Sequence, residues 1–269
     1  MKVRIFIACH KECEVPEDPM YLPMHVGSVH KDVLPGFVRD DTGENISGKN
    51  PVYCELTGLY WAWKNLDASY LGLAHYRRYF TVKSRNYQKK YGKMASVLTG
   101  SEAERLLKRY KVLVPRKRRY FIESVYSHYA HTFDGRQLDL VREIMNESCP
   151  EYLASFDACM KARSAYIFNM YLMPKELSDA YCEWLFHILE KLEDRVDTAG
   201  MSDFERRYAG RVSERLFNVW LRRQVETGRI RREEIREIPY LYIGEINWKR
   251  KILSFLQAKF LHRKYEKSF

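Results

Sequence analysis

The sequence predicts an α/β fold with a mostly parallel central sheet flanked by helices. Short apolar runs at 3–8, 70–74, 112–114 and 166–172 have the length and composition of strands that are covered on both faces. Between them, apolar residues recur at helical spacing, most clearly over 177–192. This alternation of buried strands and amphipathic helices is typical of a sheet that lies between layers of helices.

The first two predicted strands are joined by a long loop and a helix. Residues 12–49 contain four prolines and four glycines, which predicts a loop with little regular structure. A helical pattern follows, with apolar residues at i, i+3, i+4 and i+7, namely Leu56, Leu59, Tyr60 and Trp63. Glu55 is expected near the positive end of that helix. The order of strand, loop, helix and strand predicts a β-α-β unit.

Polar side chains follow both of these strands at the points where they end. His10 and Lys11 come after the first strand, and His75, Arg77 and Arg78 come after the second. In open α/β sheets ligands bind beyond the carboxyl ends of the strands. An arginine fork matches phosphate or carboxylate, so these residues predict a site for an anionic ligand. The alternatives are surface ion pairs for the two arginines and a solvated loop position for Lys11.

Two further polar positions are predicted to be structural, functional or both. Asn169 lies at the centre of an apolar run, where its amide must be hydrogen-bonded. It is therefore either a structural clasp or a reader of a sugar hydroxyl. Ser213 is the expected N-cap of a helix, which would place Glu214 in the first turn, where the helix dipole favours an acid.

Composition narrows the class of protein. The 269 residues carry a net charge of +11, which favours an acidic partner such as a nucleic acid, an anionic membrane or a phosphorylated substrate. The six cysteines include no C-x-x-C pair, so neither a zinc ribbon nor a disulfide framework is predicted, and a reduced cytoplasmic compartment fits best. The spacing of His128, His131 and Asp134 is compatible with metal binding, but packed or hydrogen-bonded histidines are the preferred interpretation, and no metal is expected.

Four segments resemble a bacterial family of capsular-polysaccharide and O-antigen glycosyltransferases that includes galactofuranosyltransferases. They read N-I-S-G-K-N-P-V-Y-C-E-L-T-G-L-Y-W-A-W-K-N at 45–65, G-L-A-H-Y-R-R-Y-F at 72–80, Y-I-F-N-M-Y-L-M at 166–173 and G-R-V-S-E-R-L-F at 210–217. The resemblance extends from the first strand to about residue 225. It implies a GT-A-like single domain, expected over 1–245, a UDP-sugar donor, and inverting transfer to a lipid-linked glycan acceptor.

The resemblance also suggests roles for particular residues. The expected donor-binding residues are His10, Lys11, Lys49, Asn50, His75, Arg77, Arg78 and Asn169. Many GT-A enzymes hold a divalent metal with a D-x-D pair, and this sequence contains none. We therefore expect His75, Arg77 and Arg78 to replace the metal and no cofactor to be needed. Glu214 is the first choice for the base that deprotonates the acceptor, and Asp134 and Asp157 are alternatives.

Two other functions remain open at the level of sequence. The positive charge, with tyrosines among basic residues at 76–93 and 110–120, is compatible with nucleic-acid binding. No nucleic-acid-binding motif is present, however, and nucleic acid is not the expected partner. The second alternative is a non-catalytic sugar-nucleotide-binding component of a glycan assembly complex.

The segment 246–269 lies outside the resemblance and predicts a basic amphipathic helix. Its apolar positions fall at helical spacing among six cations, and they include Trp248, Ile252, Phe255, Leu256 and Phe260. This pattern favours an interfacial anchor on anionic lipid, although a final core helix is the alternative. With no signal-like or spanning apolar stretch in the sequence, the expected location is cytoplasmic, at the inner face of the cytoplasmic membrane.

Overall fold

The computed structural model describes residues 1–244, so the predicted C-terminal helix at 246–269 lies outside the described residues. The strands are β1 Val3–Cys9, β2 Tyr21–His25, β3 Val38–Arg39, β4 Tyr70–His75, β5 Arg78–Phe80, β6 Val112–Pro115, β7 Arg118–Arg119, β8 Ser164–Ala165, β9 Tyr171–Pro174, β10 Ile235–Ile238 and β11 Tyr240–Tyr242. The α-helices are α1 Asn50–Tyr53, α2 Leu56–Asn65, α3 Arg85–Tyr91, α4 Gly100–Leu107, α5 Val125–Thr132, α6 Arg136–Ser148, α7 Leu153–Lys161, α8 Lys175–Arg195, α9 Asp203–Arg206 and α10 Tyr208–Glu226.

The central sheet is mostly parallel, as the sequence predicts. Its order is β10-β6-β9-β4-β1-β2-β3, and β9 alone runs against its neighbours along this path. The register of β1 pairs Ala8 with His75 in β4 and Cys9 with His25 in β2. The carboxyl ends of these three strands therefore meet at one edge of the sheet, where ligands bind in open α/β folds.

Helices cover the sheet and form an aromatic core against it. The long helix α8 packs on β4 and β9, and α10 packs on α7 and α8. Phe217 of α10 lies between Tyr171 of β9 and Tyr181 of α8, with ring centroids 5.4 Å from each. Burial of rings of this size is a large stabilising term, and it fixes α10 against the sheet. Within the described residues, no helix is both long enough and apolar enough to cross a membrane.

The segment 12–49 is more ordered than predicted. It contains β2 and β3, which extend the sheet beyond β1. Pro23 lies within β2 and interrupts the strand pattern, which explains why this strand is not predicted from the sequence. Proline is tolerated there because β3 pairs only with Met24 and His25.

Two predicted positions are wrong and need correction. Asn169 does not lie inside a strand, because β9 begins at Tyr171 and both Phe168 and Asn169 have positive φ, of 73° and 53°. Ser213 is not an N-cap either, because α10 begins at Tyr208. The burial of residues 208–210 draws the helix start forward, so Glu214 lies in its second turn and the helix dipole does not explain its position.

Candidate functional site

A group of cations surrounds His10 at the shared edge of β1 and β4. His10 is exposed, and its ring lies edge-on to Tyr76 at 4.9 Å between centroids. Desolvation, followed by repulsion from Lys11, Arg207 and Arg77, lowers the pKa of His10. Within residues 1–244, neither Lys11 nor Arg77 forms a salt bridge. Cations without carboxylate partners at this edge make a site for an anion.

His75 forms the half-buried centre of the site. Its Nε2 lies 2.6 Å from the carbonyl oxygen of Phe168, to which a neutral imidazole can donate. Burial lowers the pKa of His75, which disfavours its charged form. The expected role of His75 as a substitute for a metal stays a prediction. Arg78 supplies a cation next to it, with its guanidinium 4.2 Å from the Phe168 ring and 5.5 Å from the Tyr242 ring.

Asn169 is a clasp between three segments. Its Nδ2 donates to Glu55 Oε1 at 2.8 Å and to the Gly210 carbonyl at 3.1 Å, and its Oδ1 accepts from Ser213 Oγ at 3.0 Å. The side chain is buried, so these bonds satisfy its polar atoms. The structural alternative considered for Asn169 is what the geometry shows.

Two carboxylates approach His75 from different elements. The charges of Glu55 and Glu214 both oppose the lowering of the His75 pKa by burial, with Glu55 the stronger of the two. Glu214 is 22% exposed, and its Oε2 accepts from Arg215 Nη1 at 2.7 Å. Glu55 lies between α1 and α2, directly after Cys54, whose φ is 53°. Glu55 was missed as a site residue because its sequence position has a sufficient explanation in the helix dipole.

Helix α10 contributes a row of arginines that sequence reasoning also missed. Arg207 Nε donates to Cys54 Sγ at 3.2 Å, and burial raises the pKa of that thiol to about 11. Arg211 lies over the rings of Phe133 and Phe204, at 4.2 and 3.9 Å, and burial lowers its pKa to about 10. The spacing of positions 207, 211 and 215 places them on one face of a helix, and this periodicity was the available signal.

The close approach of α10 to Cys54 depends on Gly210. A Cβ at this position would lie 3.1 Å from Cys54 Cβ and 3.2 Å from its Sγ. Gly210 therefore lets α10 lie against the turn that carries Glu55. This packing brings the two carboxylates to the same imidazole.

Other predicted donor-binding residues lie in structural contacts. Lys49 forms a salt bridge with Glu193 at 2.8 Å and lies over the Tyr53 ring. Asn50 Nδ2 donates to the Cys54 carbonyl at 2.7 Å and so stabilises the turn before Glu55. Both residues belong to the scaffold of the site in this structure.

The alternative carboxylates are held by arginines. Asp157 of α7 accepts a bidentate pair of bonds from Arg142 at 2.8 and 2.9 Å. Asp134 accepts from Arg136 and lines a cavity of about 310 Å³ together with Arg211. Neither Asp134 nor Asp157 is among the charged groups that shift the pKa of His75 most.

The histidine pair 128 and 131 is held by a carboxylate. Each Nδ1 lies 2.8 Å from an oxygen of the buried Glu123. In the described part of the chain, no group of three or more histidine, cysteine or acidic side chains could hold a metal ion. The preferred interpretation of hydrogen-bonded histidines agrees with this geometry.

A cavity lies beside the strand-end cluster, not within it. Its volume is about 550 Å³, and residues of α7, α10 and β10 line it together with Lys117, Tyr166 and Arg215. Arg215, which lines this cavity, donates to Glu214, whereas Glu226 of α10 and Glu237 of β10 line the cavity themselves.

Residues 4–225 match the family described as a domain of unknown function, DUF4422, and the chain belongs to this family. The structure is similar to the apo structure of WbbM, described as a bifunctional glycosyltransferase, with a TM-score of 0.82 and 29% sequence identity. The match covers 91% of this chain and 46% of that chain, so this chain spans about half the length of WbbM. No curated protein matches the sequence. The predicted resemblance to a glycosyltransferase and the predicted α/β fold are confirmed.

Proposed function

We propose that this protein is a glycosyltransferase that moves a sugar from a UDP-sugar to a glycan acceptor with inversion. The observation that carries the proposal is the cation cluster of Lys11, Arg77 and Arg207 around His10, at the edge where β1 and β4 end. A structure that matches a bifunctional glycosyltransferase over 91% of this chain supports the same function.

The cluster suits the pyrophosphate of a nucleotide sugar. When the bond from the anomeric carbon to the diphosphate oxygen breaks, negative charge accumulates on the departing UDP. Fixed cations stabilise that charge in the transition state, and guanidinium forks bind phosphate oxygens in pairs. Arg77 and Arg207 are assigned this role, with Arg78 next to His75 as a further cation.

The proposal includes independence of a divalent metal. The sequence has no D-x-D pair, and cations occupy the strand end at which such a pair would bind metal. The compensation of charge that a metal supplies is assigned instead to Arg77, Arg78 and Arg207.

His25 is a candidate contact for the nucleoside. It is buried at the carboxyl end of β2, in register with Cys9, and its Nδ1 has no hydrogen-bond partner among the described residues. A buried polar atom without a partner costs free energy, and a ligand can satisfy it. The base or the ribose of the donor has hydrogen-bonding groups that suit this atom.

An inverting transfer also needs a base on the acceptor side. The acceptor oxygen forms a bond to the anomeric carbon, and its proton passes to a carboxylate. Glu214 remains our first choice, because it is partly exposed, its charge acts on His75, and its partner Arg215 lines the cavity of about 550 Å³. Glu55 joins it as a second candidate, and Asp134 and Asp157 follow because neither is among the charges that act most on His75.

The biological setting is proposed from the sequence resemblance. It comprises galactofuranose as the candidate sugar, a lipid-linked glycan acceptor, synthesis of a bacterial surface polysaccharide and a position at the inner membrane face. The basic segment 246–269 remains a predicted anchor.

Donor binding and turnover together test the function. Titration calorimetry of UDP and UDP-sugars, before and after EDTA treatment, should give the same affinity. Slow hydrolysis of the correct UDP-sugar to UDP should accompany its binding. Binding without hydrolysis or transfer would instead support a non-catalytic sugar-nucleotide-binding protein. Tight salt-dependent binding of nucleic acid without UDP binding would refute both functions.

A further inference from the structure

The loop between β6 and α5 presents two large apolar side chains to solvent. Phe121 is 73% exposed and Ile122 is 67% exposed, and Phe121 is the most exposed large apolar side chain in residues 1–244. Tyr126, the second residue of α5, is also exposed. Adjoining exposed apolar residues are typical of a surface that meets a partner or a membrane.

The backbone of this loop is strained at its tip. Phe121 has a φ of 55°, and the Ile122 amide donates to the Tyr120 carbonyl at 2.7 Å across it, which closes a three-residue turn. A bulky residue at positive φ costs free energy that glycine would avoid. The ring is mostly exposed, so packing within the described chain does little to offset this cost. A strained residue of this kind indicates a function at the tip.

The base of the loop is firmly held. Tyr120 and Glu123 on either side of the tip are buried, and Glu123 contacts two histidines of α5. The Tyr120 amide donates to the Arg163 carbonyl at 2.9 Å, and β7 pairs with β8 just before it. Phe121 and Ile122 are therefore presented on a fixed support.

Four consecutive cations precede the apolar tip. Residues 116–119 are all exposed, and none of them forms a salt bridge among the described residues. Lys117 lies over the Tyr166 ring at 4.7 Å, and Arg118 lies over the Tyr120 ring at 5.3 Å. Unpaired cations beside exposed apolar side chains match the chemistry of an anionic lipid surface, with phosphates outside and acyl chains beneath.

We propose that residues 116–122, the basic loop, dock this protein on an anionic phospholipid bilayer. Phe121 and Ile122 enter the headgroup region, and the four cations meet the lipid phosphates. This contact is separate from the C-terminal segment and does not depend on transferase activity. If the proposed function holds, docking also has a catalytic use, because Lys117 lines the same cavity as Arg215, the partner of Glu214, and docking would bring that cavity near a lipid-linked acceptor.

Co-sedimentation of the full chain with vesicles tests the contact. The vesicles contain phosphatidylcholine alone or with phosphatidylglycerol, and the variants are F121S/I122S and R118A/R119A. Each cation near an anionic surface contributes about fivefold in partitioning, so R118A/R119A should bind anionic vesicles roughly 30-fold more weakly. F121S/I122S should lose at least 10-fold. The apolar replacement F121L/I122L should keep most of the binding.

Two controls separate docking from general charge and from misfolding. K108A/R109A removes two exposed cations that precede β6, at the other end of that strand, and should bind like the parent. Phe121→Gly relieves the positive φ, so its Tm should equal or exceed that of the parent while vesicle binding falls. UDP affinity should stay unchanged in every loop variant, which keeps this test distinct from that of the proposed function.

Equal partitioning of the parent and F121S/I122S would overturn the proposal and leave the C-terminal segment as the membrane contact. A Tm several degrees lower in F121G would also overturn it, because Phe121 would then be a structural residue. The proposal would also be overturned if the loop variants changed only self-association of the protein in the absence of lipid. The loop would then be a contact between copies of the chain.

Discussion

The side-chain amide of Asn169 donates a 2.8 Å hydrogen bond to the carboxylate of Glu55 and joins segments 114 residues apart. The residue before it, Phe168, accepts from His75 through its carbonyl oxygen. One turn with two positive φ angles therefore fixes both a carboxylate and the His75 imidazole. The site depends on this turn more than on any single strand.

Replacing Asn169 by Asp should destabilise the protein strongly. The new carboxylate lacks the donor and would face both Glu55 and the Gly210 carbonyl, so we expect a loss of about 2–4 kcal/mol in the free energy of unfolding. Urea unfolding measures it. Ser213→Ala removes one bond from the same clasp and should cost about 1 kcal/mol. Equal losses of unfolding free energy in Asn169→Asp and Ser213→Ala would show that the contact of Asn169 with Glu55 contributes no more to stability than the bond from Ser213.

The sheet was largely readable from the sequence because burial on both faces leaves continuous apolar runs. β1, β4 and β6 follow from such runs, whereas β2 contains Pro23 and does not. The polar side chains at 10, 11 and 77 were found because parallel strands end at a common edge.

The rest of the site could not be read because tertiary packing creates it. The positive φ of Cys54 directs the following residue, Glu55, towards His75. This backbone conformation could not be predicted from the sequence, because residues other than glycine seldom adopt it. Arg207 precedes α10 directly, and Glu214 lies within it. The sequence predicted too late a start for this helix, because serine, here Ser213, is a common N-cap. Packing of Tyr208, Ala209 and Gly210 outweighs that local preference.

Glu214→Gln should abolish transfer while keeping donor binding. The amide cannot take the acceptor proton, so kcat should fall by about 10²–10⁴ with UDP affinity within twofold of the parent. Glu55→Gln is the matched variant on the other side of His75. If E55Q loses turnover and E214Q does not, the base is Glu55. Near-normal turnover in both would direct attention to Asp134 and Asp157.

Arg77→Ala and Arg207→Ala should each weaken UDP binding by about 10-fold or more, because each removes a charged hydrogen-bond donor from the pyrophosphate. Lysine at either position should restore only part of the affinity, since the fork is lost. Calorimetry with UDP measures both. Arg142→Ala, which removes the partner of Asp157 on α6, should bind UDP like the parent. Activity that strictly requires manganese or magnesium after EDTA treatment would contradict the cation assignment.

Gly72→Ala should destabilise the centre of the sheet. An added Cβ would lie 2.7 Å from the Tyr171 carbonyl oxygen, which is backbone and cannot move aside without disturbing the pairing of β4 with β9. We expect a loss of about 1–3 kcal/mol, measured by urea unfolding. Gly48→Ala is the control, because nothing lies within 4 Å of its added Cβ, and it should be neutral. Similar behaviour of the two variants would contradict this account of the strand contact.

The protein should become less stable in acid, and protonation of His128 should account for part of this loss. Burial lowers the pKa of His128 to about 4, whereas an unfolded histidine titrates near 6.5. Between these values the unfolded chain binds more protons than the folded one, so the free energy of unfolding falls as the pH falls from 6.5 towards 4. His128 accounts for at most about 3 kcal/mol of this loss.

Urea unfolding at pH 7.5, 6 and 5 measures the effect in the parent and in His128→Gln. The glutamine keeps a donor for Glu123 but does not titrate, so the stability of H128Q should decline less steeply with acid. His25 and His75, whose pKa values desolvation also lowers, should leave a residual slope in that variant. His187→Gln, an exposed position on α8, should leave the parent slope unchanged. Identical slopes in the parent and H128Q would mean that His128 carries its proton equally in both states, contrary to its burial beside Tyr120.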